Sequence, residues 1–559
     1  MNLCPGASAM SGYNVGDLVA EFLQQVGIDT VFGVVSVHNI PMLDAIGRRN
    51  AVRVIGARGE MGAGHMADAY ARARRGLGAF FTSTGPGAAN APGALVEARF
   101  ASSPVLHFTG QTATANLDKE QGAVHDVMDQ LGMLKATSKA AFRIRAPEMA
   151  LGVLMKAATE ALTHPMGPVS IEIPIDVQRA QITRPAMLDG LKIETPKGDA
   201  GDPQSLDALA EMASKAKRPL IWCGTGARHA RDAVLRLTDM GFGVVTSVNG
   251  RAVIPETHPM TLGAFQATPE VEKLYETVDF MLIAGGRLRG HETRDLALKL
   301  PKVRAQIDVD PAACGRTYSV EHFHVGDASE ALSALADRLE GRMMVASDWA
   351  NNLASCLQET RLNYRKQLGP YADFPEIFRD AMPADVIWAR DVTMNNTTWG
   401  NRCLPLENPS QNIYPVGAAI GPGFQFGIGA AFAANGRKTV AITGDGGFYL
   451  NMTELWTAAQ EKPDVAIVIF NDAGYGVIKD IQDALYGERH YFADPIGPDL
   501  EGLANLAGIP YFRVSAVSEM GPQLKAAIET DGPTLVEVEM TKIGKLPRYY
   551  QPPPYAAKG

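Results

Sequence analysis

Lys438-Thr439-Val440-Ala441-Ile442-Thr443-Gly444-Asp445-Gly446-Gly447 runs from an apolar, β-branched stretch straight into a glycine turn. Residues 451–461 then carry helical spacing. Val465-Ala466-Ile467-Val468-Ile469-Phe470 forms a second apolar run that ends at Asn471-Asp472. Strand, turn, helix and strand in this order are the repeating unit of a parallel sheet. The unit places Asp445 and Asn471 at the carboxyl ends of two strands, where open α/β sheets bind ligands. A carboxylate, an amide oxygen and a backbone carbonyl suit Mg²⁺, a hard ion that keeps phosphate oxygens in its shell. Gly446 and Gly447 let backbone N–H groups approach a diphosphate. An ordinary Gly-Asp-Gly turn is the alternative reading of the glycines alone.

The same alternation extends outward through the 559 residues. Helical spacing over residues 14–26 puts Val15, Leu18, Val19, Phe22 and Leu23 on one face. Strand-like runs follow at 30–35, 52–55, 78–82, 105–109 and 169–174. A polar stretch at 195–203 reads as a linker. A second block has runs at 219–222, 243–247, 280–284 and 303–309. Residues 344–371 read as a second junction. The third block adds runs at 385–389 and 534–540 to the pair already quoted. The expected fold is α/β, with three doubly wound parallel-sheet domains at 11–180, 200–342 and 372–546. A tail rich in Pro and Tyr occupies 547–559.

Composition narrows the function. The apolar fraction of 46% and charged fraction of 20% permit large buried cores and exclude disorder as the main state. A net charge of −9 argues against a general nucleic-acid binder. No apolar run reaches the roughly 18 residues of a membrane span. The first ten residues lack the basic and apolar regions of an export signal. Five cysteines are scattered without metal spacing, so free thiols in the cytoplasm are expected.

Several further segments carry chemistry. Arg58-Gly59-Glu60-Met61-Gly62-Ala63-Gly64-His65 follows an apolar run and opens a helix, where Glu60 either complements the macrodipole or serves as an acid. Ser83-Thr84-Gly85-Pro86-Gly87-Ala88-Ala89-Asn90 is a turn between strand and helix. Val35-Ser36-Val37-His38-Asn39 follows the first strand, and His125 stands in Gln121-Gly122-Ala123-Val124-His125-Asp126; each histidine could instead be structural. Asp391-Val392-Thr393-Met394-Asn395-Asn396 ends a strand of the third block. Ala418-Ala419-Ile420-Gly421-Pro422-Gly423 precedes a small-residue helix, and Gly474-Tyr475-Gly476-Val477 follows the Asn471 turn.

From about Gly16 to Met540, these segments resemble the thiamine-diphosphate enzyme superfamily of pyruvate decarboxylase, acetohydroxyacid synthase and benzaldehyde lyase. The resemblance implies that thiamine diphosphate (ThDP) is bound, with Asp445, Asn471 and the carbonyl of Ala473 holding Mg²⁺ on its diphosphate. Gly446, Gly447, Thr393 and Asn395 would face the diphosphate, and Tyr475 would lie in the wall beside it. Ile420 would prop the cofactor into its bent shape, a proximity effect. Thr84 and Asn90 would lie against the aminopyrimidine, and Glu60 would meet its N1′. Activation of the cofactor needs that acid.

His38 and His125 would transfer protons to the substrate. The implied reaction is a carbon–carbon lyase or carboligase acting on 2-oxo acids or 2-hydroxy ketones through an enamine. An acetohydroxyacid-synthase-like condensation of two 2-oxo acids is the alternative, with Asp480-Ile481 standing where such synthases usually have Gln-Trp. A non-catalytic nucleotide-binding protein on the same fold is a third reading. Gly59 stands where relatives often carry His. In the central block Gly224-Thr225-Gly226, Gly285-Gly286-Arg287 and Asp308-Val309-Asp310 resemble turns that hold FAD in some relatives, so FAD is possible. The resemblance also implies a homodimer or homotetramer with active sites shared between subunits.

Overall fold

The structure, a computed structural model, describes residues 12–547. Two compact units divide it. One runs to Thr195, apart from residues 72–75 and 100–102, and the other holds those short pieces and the chain from Pro196 onward.

The first unit is built on one six-stranded sheet. Its strands are β1 (Thr30–Gly33), β2 (Arg53–Gly56), β3 (Gly78–Thr82), β4 (Val105–Gln111), β5 (Ala140–Arg143) and β6 (Val169–Pro174). They lie in the order β2-β1-β3-β4-β6-β5, all parallel. Strands β3, β4 and β6 are buried along their whole length, which is why they read as continuous apolar runs. Helix Val15–Gln25 opens on a capping box: Asn14 Oδ1 accepts the Asp17 amide at 2.9 Å and Asp17 returns the bond at 3.0 Å. Its apolar stripe joins the same buried core as Phe81, Phe108 and Ile171.

The second unit holds two sheets. In chain order the first has β7 (Pro219–Cys223), β8 (Gly243–Thr246), β9 (Phe280–Ala284), β10 (Arg304–Asp308) and β11 (His322–Val325), arranged β11-β10-β9-β7-β8. The other has β12 (Ile387–Arg390), β13 (Asn412–Ile413), β14 (Thr439–Gly444), β15 (Val465–Asn471), β16 (Tyr511–Val514) and β17 (Thr534–Glu539), arranged β13-β12-β14-β15-β17-β16. This is the strand order of the first unit repeated. Between the parts carrying these two sheets, Arg251 is fully buried. It pairs with Glu256 through two bonds of 2.7 and 2.6 Å and donates to the carbonyls of Gly400 and Leu404.

Three parallel sheets flanked by helices are therefore what the alternating pattern predicts, with two corrections. Residues 344–371 are not a bare junction: Trp349–Lys366 is an 18-residue helix. Trp349 and Leu353 of this helix join the core under β7 and β9, although its mostly polar surface hides the periodicity. Strands β5, β11, β13 and β16 went unread. All four lie at sheet edges. β5, β11 and β16 are partly exposed, and β13 has two residues. A short, half-exposed edge carries no apolar run to find. Of the tail expected at 547–559, all but Pro547 lies outside the described residues.

Candidate active site

In the strand order β2-β1-β3-β4-β6-β5 the chain reverses direction between β1 and β3, and in its repeat between β12 and β14. Ligands bind outside the carboxyl ends of strands at such a reversal. In the second unit the loops leaving β12 and β14 carry Thr393 and the Asp445 turn. In the first, the loops leaving β1 and β3 carry His38 and the Thr84–Gly87 turn.

Asp445 begins helix Asp445–Leu450 and is 1% exposed. Its Oδ2 accepts the Gly474 amide at 3.0 Å, and its carboxyl shares a hydrogen bond with that of Asp472. Asp472 folds over Gly476, where a Cβ would sit 1.9 Å from Asp472 Oδ2. Burial and the neighbouring Asp445 push the Asp472 carboxyl up to about 7. Burial also raises Asp445. Two acids in one half-buried site cannot both ionise cheaply, so they hold a proton between them unless a cation replaces it.

A cleft of about 520 Å³, open on one side, faces this pair and is lined by Thr393, Ile420, Gly446, Gly447, Gly474 and Tyr475 among others. A Cβ on Gly446 would lie 2.5 Å from the Tyr475 ring and 3.6 Å from the Gly474 carbonyl oxygen. The glycine thus keeps ring and carbonyl at the cleft. Ile420 is 51% exposed there. Its turn is held by buried Asp391, which accepts the amides of Gly421 at 2.9 Å and Gly423 at 3.2 Å and the Thr443 hydroxyl at 3.0 Å. Burial outweighs those bonds and pushes Asp391 up to about 6.

Three expectations shift here. Asn471 turns away from Asp445: its amide donates to Glu537 on β17 at 2.7 Å and its oxygen accepts the Ala473 amide at 3.1 Å. Successive residues of a strand face opposite ways, so the residue brought to Asp445 is Asp472. Ala473 sits in the exposed turn at φ 57° and does not line the cleft. Asn395 is fully buried, with its oxygen accepting the Trp399 indole N–H at 2.8 Å and its nitrogen 3.6 Å from Met540 Sδ. It braces the loop from beneath. Sequence reading missed Asp472 by one position. The available signal was a second carboxylate one residue past the strand end.

In the first unit Glu60 opens helix Glu60–Arg74. Asn90 Nδ2 donates to Glu60 Oε2 at 3.1 Å, and a Cβ on Gly87 would stand 2.7 Å from Oε1. The turn over Gly85 to Gly87 therefore rests on the carboxylate. Gly85 has φ 59°, and any Cβ there would meet the His125 carbonyl at 2.3 Å. Thr84 is fully buried, and its hydroxyl lies 3.2 Å from Gln111 Oε1 and 2.8 Å from Gln130 Oε1. Its hydroxyl is thus committed to the protein, and the residue fixes the turn.

The rings of His38 and His125 lie 5.2 Å apart, tilted by 52°. Burial, then the neighbouring His125 and Arg179, lower the His38 pKa below the ordinary 6.5. Its Nδ1 is buried and has no hydrogen-bond partner among the described residues. The loops thus bring together two histidines 87 positions apart in the chain (125 − 38).

The central sheet's glycine turns have a plainer account. A Cβ on Gly224 would fall 2.3 Å from the Gly285 carbonyl, and one on Gly285 would fall 2.5 Å from Gly226 Cα. The two turns need glycine because they press on each other.

Known proteins resemble this chain in each of its three sheet-bearing parts. Residues 13–133 match the family "Thiamine pyrophosphate enzyme, N-terminal TPP binding domain", residues 206–335 its central domain, and residues 393–538 its C-terminal TPP binding domain. A probable 2-ketoarginine decarboxylase of Pseudomonas aeruginosa is 28% identical over 533 residues, 94% of this chain and 93% of that one. A probable acetolactate synthase large subunit of Methanocaldococcus jannaschii is 28% identical over 556 residues, 95% of this chain and 92% of that one. The acetolactate synthase isozyme 1 large subunit of Escherichia coli is 27% identical, with 98% of each chain covered.

Proposed function

This chain belongs to the thiamine pyrophosphate enzymes, and from that premise we propose that it makes or breaks the carbon–carbon bond beside the carbonyl of a 2-oxo acid or 2-hydroxy ketone. The observation that carries this reading is the His38–His125 pair. Held neutral near pH 7, His38 can accept a proton from the substrate hydroxyl or return one to its oxygen. A lyase or carboligase needs that exchange.

When bound, the cofactor would supply a nucleophilic carbon and an electron sink for the bond beside the carbonyl. The rest falls to side chains. Glu60, steadied by Asn90, would hold a proton at the N1′ nitrogen of the aminopyrimidine. Asp445, Asp472 and the Gly474 carbonyl form a hard, oxygen-only donor set that suits Mg²⁺. The carboxyl pair fits a cation because its burial otherwise forces it to keep a proton. Gly446 and Gly447 offer close backbone approach to the diphosphate. Ile420 is the exposed apolar prop, and Thr393 and Tyr475 line the same cleft. Chain-on-chain contact accounts for the central glycines, so they add no support for flavin, which is not needed for this reading.

A synthase condensing two 2-oxo acids is the second reading, favoured by relatives named acetolactate synthase. Product analysis separates the two. The protein would be incubated with ThDP, Mg²⁺ and a panel holding pyruvate, 2-ketoarginine, branched 2-oxo acids and 2-hydroxy ketones. Aldehyde with or without CO₂, or a 2-hydroxy ketone formed from added aldehyde, supports the lyase or carboligase. Acetolactate from pyruvate as the main product supports the synthase. No turnover of any member refutes both.

We further propose a homodimer or homotetramer in which the Glu60 unit of one copy completes the Asp445 cleft of another. Cytoplasmic residence fits the free thiols at Cys223, Cys314, Cys356 and Cys403. Among the described residues no helix is long and apolar enough to cross a membrane.

A further inference from the structure

Two loops from distant parts of the first unit carry the histidine pair, and one buried side chain touches the footing of both. Gln130 is 1% exposed and opens helix Gln130–Thr137. Its Oε1 accepts the Gly85 amide at 2.7 Å and the Thr84 hydroxyl at 2.8 Å. Its Nε2 donates to the Gly110 carbonyl at 3.1 Å and to Glu172 Oε2 at 3.2 Å. All four hydrogen-bonding positions of the amide are filled.

The two backbone partners matter because of what rests on them. Gly85 lies directly beneath His125: a Cβ there would meet the His125 carbonyl at 2.3 Å and its Cβ at 3.0 Å. Gly110 lies directly beneath His38, where a Cβ would stand 2.2 Å from the His38 carbonyl and 2.8 Å from its Cβ. Gln130 therefore ties the seat of one histidine to the seat of the other. We infer that Gln130 is a positioning residue that sets the separation and tilt of the His38–His125 pair. The inference rests on the reading of that pair as the proton-transfer groups.

Glu172 decides which way the amide points. It is fully buried and pairs with Arg143, so it accepts from Nε2 and forces Oε1 toward Gly85. The reversed amide would set an NH₂ against the Gly85 N–H and an oxygen against the Glu172 carboxylate. Proton transfer is sensitive to such a tether, because a misplacement of about 1 Å costs on the order of 10²-fold in rate.

Gln130→Met keeps the length and removes all four bonds, and Gln130→Asn keeps the amide but falls a methylene short of its partners. Ser138→Ala is the control. It removes a buried 2.8 Å bond to Ser170 at the other end of the same helix, away from both loops. The first readout is acylation of His38 and His125 by diethyl pyrocarbonate against pH in the full chain, followed by peptide mass spectrometry. Only the neutral ring reacts, so the midpoint reports its titration. The charged groups that bear on His38 are His125 and Arg179, both unchanged in these variants.

In either Gln130 variant the His38 midpoint should rise toward the ordinary value by about half a unit or more, as the ring leaves its seat beside His125. Turnover should fall at least about tenfold with KM within about threefold. Ser138→Ala should lower thermal stability and leave midpoint and turnover near wild type. Should Gln130→Met not fold, Gln130→Asn is read in the same way. A wild-type midpoint and wild-type turnover in the Gln130 variants overturn the inference, and so does an equal shift in Ser138→Ala. The acylation readout needs no substrate, so an error about the reaction shows as an inactive wild type with the midpoint shift intact.

Discussion

Replacing Asp472 by asparagine keeps the shape of the side chain and removes one charge from the buried pair with Asp445. In the cation-free protein this should stabilise the fold at neutral and alkaline pH. The Asp472 carboxyl moves from the ordinary 3.8 to about 7 through burial and the charge of Asp445. A raised folded-state value means that the folded chain binds the proton more tightly than the unfolded chain. No cost exists below the unfolded value. It accrues as pH rises from about 4 to 7 and is constant above. About 3 units at about 1.4 kcal/mol each set a ceiling of roughly 4 kcal/mol.

Asp472 is only half-buried at the cleft mouth, so solvent reduces this to about 2–3 kcal/mol. Differential scanning calorimetry in EDTA should then show Asp472→Asn melting about 2–6 °C above wild type at pH 8, with a much smaller gap at pH 5. Saturating Mg²⁺ with ThDP should reverse the order, because wild type keeps two anionic ligands and gains more on binding. Equal melting of the two proteins at pH 8 in EDTA would refute the argument, as would a gap of the same size at pH 5.

Other outcomes follow from the same geometry. His38→Ala should lower turnover about 10²-fold while ThDP binding, followed by calorimetry, stays within about threefold. In wild type the acid limb of turnover should have an apparent pKa below 6.5, since burial beside His125 and Arg179 disfavours the charged ring and activity is lost as pH falls through that value. Mixed Glu60→Gln and Asp445→Ala chains, each inactive alone, should regain activity toward a quarter of wild type if subunits exchange and share sites; mass spectrometry of the mixture verifies the exchange. Arg251→Met strands the Glu256 carboxylate and should cost about 3–5 kcal/mol in urea unfolding, whereas the double variant Arg251→Met, Glu256→Leu should recover most of it.

The legible parts of this protein are those whose chemistry is local. Strands β4, β6, β14 and β15 are buried on both faces, so burial alone writes each as an unbroken apolar run. Asp445 stands where such a strand gives way to a helix, and Gly446 beside it is glycine because a Cβ would collide with the Tyr475 ring; Glu60 opens its helix after the more exposed strand β2. From such features the three sheets, the family resemblance and the acid at each turn follow without coordinates. The helix Trp349–Lys366 and the edge strands escaped because their burial depends on partners contributed from elsewhere in the chain.

What the tertiary structure alone decided is which atoms face each other. Composition cannot say whether Asn471 or Asp472 turns toward Asp445, because one residue along a strand end reverses the side chain's direction. Nor can it show that Asn395 and Thr84 are committed to Trp399 and Gln130. The neighbourhood of His38 and His125, and the glutamine beneath them, arises only when the parallel strands β1, β3 and β4 come into register. The 86 residues between the histidines, 39–124, carry no local pattern of that contact, because hydrophobic burial in the sheet brings their loops together.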